Sequence, residues 1–402
     1  MTGMPPGAVR LLVGGAVINT SLGSLFSWSL FVEPLADEFG SSPTALAGVF
    51  SVSVVIFAAI VLAGGRMVDR RRPRAVVVAA AGAAAAGLLL ASGAPSLPWV
   101  VAGYGVLFGV GNGLGYATAV AAAGKGFGER RGLALGVVVG AFAAGPLVAS
   151  PVITALLAAG GWRSTFVVLA AGIGVALLVG AVLLGDGVRD TGTPARARPG
   201  SPERPLLLRP GGVALWAAFL LGTLPALLVV AHAATIAAAG GLGPAAVSAS
   251  VALLGAGNLT GRAGGGWLSD RIGRLPGLRA ATLTLAAACL ALTAASATAP
   301  VLVLMVLVGV GYGTQSSLVP ALTADLFGVE HFGANYGRIF TGWGVAGLLG
   351  PQVGAALGGT GRGFAVPLTI GATSAACAFG LHLLLGRLAA RREHGAHADG
   401  TP

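Results

Sequence analysis

The sequence predicts an all-α integral membrane protein with twelve transmembrane helices in two pseudo-symmetric six-helix bundles. Its 402 residues are 55% hydrophobic and only 9% charged, and the mean hydropathy is +0.88. A soluble protein of this length needs about 25% charged residues to cover its surface. Lipid must therefore solvate the remaining surface, and the abundant Gly and Ala suit closely packed membrane helices.

Twelve apolar windows have the length of about 20 residues that crosses a bilayer as a helix. We place helices 1 to 6 near 10–33, 44–65, 75–93, 98–122, 131–157 and 163–184, and helices 7 to 12 near 211–236, 244–267, 279–297, 300–323, 333–357 and 364–386. The Pro-, Gly- and Arg-rich segment between the two sets is typical of a flexible linker. The predicted units are an N-terminal bundle at 1–185, a cytoplasmic linker at 186–209, a C-terminal bundle at 210–390 and a cytoplasmic tail at 391–402.

An internal duplication supports the two halves. The stretch GRMVDRRRPR at 65–74 returns as GWLSDRIGRL at 266–275, 201 positions later, which is half the chain length. Two Gly-containing segments recur at nearly the same offset, namely 109–113 with 309–313 and Gly145-Pro146 with Gly350-Pro351. Two similar half-bundles that rock about a central site are typical of secondary transporters.

The basic residues predict the orientation. All of the 24 Lys and Arg residues lie on one side of the predicted membrane, except Arg163, Arg262, Arg338 and Arg362. The positive-inside rule makes that side the cytoplasm, and an even number of spans puts both termini there. The N-terminus lacks the features of a cleaved signal peptide. We therefore expect a multi-pass protein of the cell (plasma) membrane, surrounded by the lipid bilayer.

Several function classes are not supported. The net charge of +11 does not indicate nucleic-acid binding, because the basic residues lie in short loops between apolar spans. Cys289 and Cys377 form no metal or redox motif, and no nucleotide-binding G-x-x-x-x-G-K-[ST] is present. The scattered His, Cys and acidic residues form no nucleophile–base constellation. We expect no enzyme activity, no cofactor and no metal.

The duplicated stretches resemble the G-x-x-x-D-R-x-G-R signature of the major facilitator superfamily, which implies its twelve-helix fold. The second copy fits fully, whereas the first has Arg72 and Pro73 where Gly and Arg are usual. The resemblance implies a conformational latch, in which a carboxylate pairs with arginine and with a helix N-terminus. The latch residues are Gly65, Asp69, Arg70, Gly266, Asp270, Arg271 and Arg274.

Within that superfamily, the chain resembles the oxalate/formate antiporter and monocarboxylate transporter group over nearly its whole length. The segments that carry this resemblance are 24–40, 111–136, 258–274 and 321–351. It implies transport of small organic anions by a monomer. The alternatives are an efflux pump for hydrophobic or drug-like compounds, which would want a buried acid, and a non-transporting membrane sensor.

Arg262 is the most informative residue, because it lies well inside predicted helix 8. It is eight residues from Asp270 at the cytoplasmic end, or about 12 Å along a helix. A guanidinium at that depth costs several kcal/mol unless it faces a wet cavity or a partner. A substrate carboxylate would satisfy it through a two-pronged contact, as the helix 8 arginine of the resembling group does. The alternative is that Arg262 snorkels toward the cytoplasm.

Further residues are candidates to line a substrate cavity. Asn258 lies one helical turn before Arg262 and could orient the guanidinium, bond substrate or make a plain interhelical bond. Tyr116 and Trp28 match residues typical of the group; the alternative for Tyr116 is a packed tyrosine, and the alternative for Trp28 is an aromatic side chain that faces lipid or the protein interior. The weaker candidates are Asn112, Tyr312 and Gln315.

Helix 11 departs from the oxalate exchangers, which pair the helix 8 arginine with a helix 11 lysine. Trp343 stands at that position, and the only lysine of this chain is Lys125 in a loop. One deep cation matches one carboxylate, so we favour a monocarboxylate over oxalate.

The coupling partner is predicted to be a proton or a counter-anion. His232 in helix 7 is a possible proton carrier, although a structural histidine is the alternative. Gly145, Pro146, Gly350 and Pro351 break backbone hydrogen bonds and are hinge candidates, with ordinary kinks as the alternative.

Overall fold

The computed structural model describes residues 7–70, 72–126, 131–185, 210–327, 332–358 and 363–398, and the predicted linker at 186–209 lies outside them. The described residues form twelve helices, which confirms the predicted fold class. Helices 1 to 6 span Ala8–Phe39, Pro43–Arg70, Pro73–Ser92, 97–126, 131–160 and 162–184, and helices 7 to 12 span Pro210–Ala239, Pro244–Ile272, Arg274–Leu292, Thr298–Phe327, Phe332–Leu357 and Ala365–Ala398.

Several helices run beyond the predicted apolar windows, because polar residues at a membrane surface continue a helix as readily as apolar ones. Helix 1 continues to Phe39 and is a 3₁₀-helix over Gly23–Phe31. Helix 4 is π-helical over Val101–Phe108 before it becomes α-helical at Gly109. Helices 5 and 6 are separated only at Gly161, whose φ of 73° is accessible to glycine and disfavoured for other residues.

Nine helical stretches of the described chain are long and apolar enough to cross a membrane, and one of them, at 136–184, includes both helices 5 and 6. Helices 8 and 11 are not among them, although they have 29 and 26 residues. Helix 8 carries Asn258, Arg262 and several glycines, which lower its hydropathy. Helices 8 and 11 are thus candidates to border a polar site.

The outer surface is apolar, as a lipid-facing surface must be. On this surface, Val148, Val175 and Val303 are each more than half exposed. An exposed apolar surface of this extent is unfavourable in contact with water, so lipid must cover it. The interior is also apolar, with large side chains such as Phe50, Phe108 and Phe219 fully buried. Because both faces of most helices are apolar, sequence periodicity alone gives little information about which face points inward.

The two halves pack in the same way at equivalent positions. In the N-terminal half, Gly113 of helix 4 faces the Phe57 carbonyl of helix 2. In the C-terminal half, Gly313 of helix 10 faces the Asn258 carbonyl of helix 8. The members of each equivalent pair lie 200 or 201 positions apart, so the structure agrees with the duplication that the sequence indicates.

The halves meet through helix 2 with helix 11 and helix 5 with helix 8. The Ser51 hydroxyl donates to the Leu348 carbonyl at 3.3 Å, and Gly347 lies against Val54. On the other side, Gly255 lies against Pro146. We call the end of the molecule where helix 6 ends at 184 and helix 7 begins at 210 the linker end. These contacts lie toward the opposite end, since helices 2 and 8 run toward the linker end.

Candidate functional site

A cavity lies between the two halves, at mid-height of the helices. Four helices of each half border it, namely helices 1, 2, 4 and 5 and helices 7, 8, 10 and 11. The empty space among the side chains, open solvent included, amounts to no more than about 370 Å³. Its described lining is mostly aromatic and consists of Phe26, Phe57, Tyr116, Phe142, Phe219, Arg262, Tyr312, Ser316, Tyr336, Phe340 and Trp343.

The close crossing of helices 8 and 10 places Arg262 at this cavity. A Cβ atom at Gly261 would collide with the Val310 carbonyl, and one at Gly313 would collide with the Asn258 carbonyl. Small residues at such positions let the two backbones touch, as is common between membrane helices. This contact sets the depth and rotation of helix 8, and therefore the direction in which Arg262 points.

Arg262 is held by neutral groups. Its Nε donates to Asn258 Oδ1 at 3.1 Å, and its guanidinium lies close to the Tyr116 hydroxyl across the cavity. Within the described part of the chain, Arg262 forms no ion pair, and the cavity lining includes no acidic side chain. A charged side chain at this depth is costly without a partner, and no described carboxylate neutralises the Arg262 guanidinium.

Tyr312 and Trp343 form a second polar pair on the wall. The Trp343 indole Nε1 donates to the Tyr312 hydroxyl at 2.8 Å, and both side chains are buried. The Trp343 ring stacks on Phe340 at 5.0 Å between centroids and meets Phe57 edge-on at 5.4 Å. These contacts fix the indole plane, so the position of the hydroxyl that it bonds is also fixed.

Three of the predicted cavity residues lie elsewhere. Trp28 packs against Tyr104 at 4.6 Å between ring centroids, within the N-terminal half. Asn112 donates to the Phe108 carbonyl of its own helix. Gln315 donates to the Gly222 carbonyl of helix 7 at 3.0 Å. The cavity lining includes none of the three.

His232 is buried at the contact of helices 7 and 11, away from the cavity lining. Its Nε2 lies 2.8 Å from the Pro351 carbonyl, and its ring lies 5.4 Å from that of Phe364. A Cβ atom at Gly354 would collide with the imidazole. His232 thus contacts Pro351, one of the predicted hinge residues. The part of His232 in proton coupling stays a prediction.

The other hinge residues lie at helix crossings. Gly145 lies against Gly23 of helix 1, and Gly350 lies against the Leu224 carbonyl of helix 7. Pro146 contacts Gly255 across the interface between the halves. Each is a point of close packing, which is compatible with a hinge and with an ordinary kink.

The second latch copy lies at the linker end of helices 8 and 9. Arg274 lies 3.7 Å from the Asp325 carboxylate of helix 10 and donates to the Ser269 hydroxyl. The Arg271 guanidinium covers the Trp267 ring at 3.8 Å. Gly266 has no neighbour within 4 Å of its Cβ position. The side chains of Gly65, Asp69, Arg70 and Asp270 lie outside the described part of the structure.

Sequence reasoning missed seven residues of the lining. Tyr336 and Phe340 precede Trp343 by seven and three positions, so an aromatic stripe at helical spacing on helix 11 would have indicated both. Ser316 is the counterpart of Tyr116 at an offset of 200, which the duplication would have indicated. For the remaining four, Phe26, Phe57, Phe142 and Phe219, we find no signal that separates them from packed phenylalanines.

This arrangement suits a carrier. No group of His, Cys, Asp or Glu in the described residues is suited to hold a metal ion. A central site between the two halves of a membrane protein is typical of transporters, in which the halves close around the site from either end.

Comparison with known proteins identifies the family. The Major Facilitator Superfamily model matches residues 12–351 and 226–399. The chain therefore belongs to the major facilitator superfamily and is a membrane transporter, not an enzyme.

Two relatives and one solved structure agree with this. The chain is 27% identical over 369 residues to the oxalate:formate antiporter of Oxalobacter formigenes, covering 89% of this chain and 86% of the relative. It is 26% identical over 348 residues to the uncharacterized MFS-type transporter YhjX of Escherichia coli K12, covering 84% and 85%. A partially occluded inward-open structure of the xylose transporter XylE from E. coli matches with a TM-score of 0.69 and 14% identity, over 92% of this chain and 95% of that one. At that identity, the last match shows the fold alone.

Proposed function

We propose that this protein transports small monocarboxylates across the cell membrane by alternating access, in symport with a proton or in exchange for another anion. The observation that carries the proposal is Arg262, a half-buried cation at the central cavity that forms no ion pair among the described residues. Its two protein partners, Asn258 and Tyr116, are neutral. The bound anion is the group that completes this site.

The chemistry of the wall supports a single carboxylate. A guanidinium binds a carboxylate through two parallel hydrogen bonds, and the Tyr116 and Tyr312 hydroxyls are further donors nearby. Arg262 is the one basic side chain in the described lining, so a second negative charge would remain unpaired. The phenylalanine side chains and Trp343 suit a small apolar remainder of the substrate. The oxalate:formate antiporter, by its name, acts on small carboxylates. This supports small carboxylates as the class of substrate, but it does not favour one acid of the class over another.

The way the halves meet supports alternating access. Tyr116 belongs to the N-terminal half and Arg262 to the C-terminal half, so a bound carboxylate joins both. Toward the end opposite the linker, Ser51 and Leu348 on one side and Pro146 and Gly255 on the other close the interface. Opening of these contacts, with closure at the linker end, would expose the site to the other side of the membrane. We assign the linker end and both termini to the cytoplasm, and the bundles to the predicted units 1–185 and 210–390.

Uptake into proteoliposomes tests the proposal. Labelled formate, lactate, pyruvate and oxalate would each be offered with an inward proton gradient, and separately with unlabelled anion inside. We expect saturable uptake of at least one monocarboxylate by the protein and none by vesicles that carry Arg262→Gln. Accumulation driven by the gradient indicates symport, and uptake only against internal anion indicates exchange. Absence of uptake for all four acids in both formats would refute the carboxylate assignment.

A further inference from the structure

Asn258 lies in the closest part of the crossing between helices 8 and 10. Its side chain is fully buried and is not part of the described cavity lining. A Cβ atom at Gly309 would collide with the main-chain nitrogen of Asn258, and one at Gly313 would collide with its carbonyl. Asn258 is thus fixed in place beside the cavity, and it can influence a substrate there only through a neighbouring side chain.

The neighbour that Asn258 contacts is Arg262, one helical turn further along helix 8. Asn258 Oδ1 accepts from Arg262 Nε at 3.1 Å. This bond holds the base of the guanidinium group and does not use its two terminal nitrogens. Because the amide is itself fixed by the helix crossing, the bond sets the direction in which the guanidinium points. Asn258 contributes no charge to the pair.

For stability alone, an amide is a poor partner for this arginine. The Asn258 Nδ2 is buried and donates to no described residue, and a buried donor without a partner is destabilising. An aspartate of nearly the same shape would carry no such donor and would form an ion pair with the guanidinium. A buried charge without its counter-charge is strongly destabilising relative to the intact pair. The asparagine therefore leaves this site less stable than an aspartate would.

Building on the proposed function, we propose that Asn258 is a positioning residue of the carboxylate site. It fixes the direction of the Arg262 guanidinium with a neutral acceptor, so the positive charge stays available to the substrate although the protein is less stable as a result. A carboxylate at position 258 would fix the same guanidinium and neutralise it at the same time. The amide does the first without the second.

The surroundings of the pair offer no other counter-charge. Apart from Arg262, the ionisable side chains of the described lining are Tyr116, Tyr312 and Tyr336. Helix 5 has no ionisable side chain beyond its first residue. Helix 7 has only His232, which lies away from the described lining. Replacement of the amide by a carboxylate would thus introduce the only acidic group beside the described cavity.

Two substitutions separate the direction of the guanidinium from its charge. Asn258→Asp keeps an acceptor in the same place and adds a negative charge, whereas Asn258→Leu removes the acceptor at similar size. Half-saturation and maximal rate would be measured for labelled formate, lactate and pyruvate in proteoliposomes, and the thermal unfolding midpoint in detergent. Asn19→Asp is the matched control, because Asn19 is also fully buried, lies outside the described lining and donates to the Val138 carbonyl at 2.6 Å.

We expect Asn258→Asp to raise the unfolding midpoint and to raise half-saturation about 10- to 100-fold, because the internal ion pair competes with the substrate. Asn258→Leu should raise half-saturation about 3- to 10-fold without raising the midpoint, because one neutral acceptor is lost. Asn19→Asp should lower the midpoint and leave half-saturation unchanged, since it buries a carboxylate without a cation.

A double variant identifies the origin of the gain in stability. In the Arg262→Gln background, Asn258→Asp should lower the unfolding midpoint, because the carboxylate then has no guanidinium to pair with. A gain in stability together with a loss of affinity is a combination that a merely structural asparagine does not produce, so the two readouts together separate the roles.

The opposite results overturn the inference. If Asn258→Asp or Asn258→Leu keeps the natural half-saturation, Asn258 does not position the guanidinium, while carboxylate transport stands. If Asn258→Asp lowers both the midpoint and the affinity, the asparagine is a structural residue and the inference is wrong. If the natural protein transports neither these three acids nor oxalate, the proposed function is wrong and the inference falls with it.

Discussion

Replacement of Arg262 by lysine should separate the role of the guanidinium from that of its charge. Lysine keeps the positive charge but ends in a compact ammonium without the planar fork. In the structure, the arginine uses Nε for Asn258 and also contacts Tyr116. A lysine cannot keep these bonds and also hold two carboxylate oxygens. The substitution thus removes at least one of the two bonds to the substrate.

The expected effect can be estimated from that loss. A hydrogen bond between charged groups contributes about 1.5–3 kcal/mol, so the half-saturation concentration should rise about 10- to 100-fold for Arg262→Lys. Arg262→Gln loses both bonds and the charge, and no saturable transport should remain. Initial rates of counterflow against substrate concentration in proteoliposomes give these constants.

Arg163→Lys is the matched control for this experiment. Arg163 pairs with Glu38 at 2.9 Å and donates to the Ser92 and Ala94 carbonyls, at the end opposite the linker. Its replacement should lower the thermal unfolding midpoint of the purified protein and leave half-saturation unchanged. Wild-type half-saturation in Arg262→Lys would refute the two-pronged contact, and residual saturable transport in Arg262→Gln would refute the binding role altogether.

Three further predictions test the packing and the specificity. Gly261→Ala should destabilise the protein by about 1–3 kcal/mol, because the added methyl group overpacks against helix 10. Gly264→Ala should not, because a Cβ atom at that position meets nothing within 4 Å. Thermal unfolding of the two variants in detergent measures the difference. Tyr116→Phe should raise the half-saturation for a monocarboxylate about tenfold, and Tyr104→Phe, whose hydroxyl bonds a main-chain carbonyl, should not. Trp343→Lys should shift preference from mono- toward dicarboxylates, and an unchanged ratio of formate to oxalate uptake would contradict the helix 11 argument.

The sequence predicted the positions of the helices along the chain better than the face of each helix that points toward the protein interior. Twelve apolar windows and one duplicated pattern sufficed for the fold class, because only helices satisfy their own backbone in lipid. The sequence also predicted the depth of Arg262, because a charged residue within an apolar window lies inside the membrane-spanning part of a helix. A helix that is apolar on all sides has no polar face from which its rotation could be deduced.

Helix 1 illustrates the difficulty. Its Gly23–Phe31 stretch is a 3₁₀-helix, with fewer residues per turn than an α-helix, so neighbouring side chains point in directions that an α-helical count does not give. Phe26 lines the cavity, while Trp28, two residues later, is fully buried in the N-terminal half, and the apolar sequence around them does not indicate which of the two faces the cavity. Gln315 and Ser316 differ in the same way on helix 10, where the serine borders the cavity and the glutamine contacts helix 7.

The duplication explains why one half carries the charge. Phe57 and Asn258 occupy equivalent positions 201 residues apart, and the glycine that packs on each backbone is retained in both halves. The side chains that point from this shared scaffold differ, since Arg262 has Val61 as its counterpart. Two identical halves would present two cations to the cavity or none. Divergence at the side chains, over a preserved backbone crossing, leaves one guanidinium in the described cavity lining, contributed by the C-terminal half, and Tyr116 of the N-terminal half in the same lining. Under the proposed function, a substrate with one carboxylate would contact both halves at once, which is the condition for its binding to draw them together.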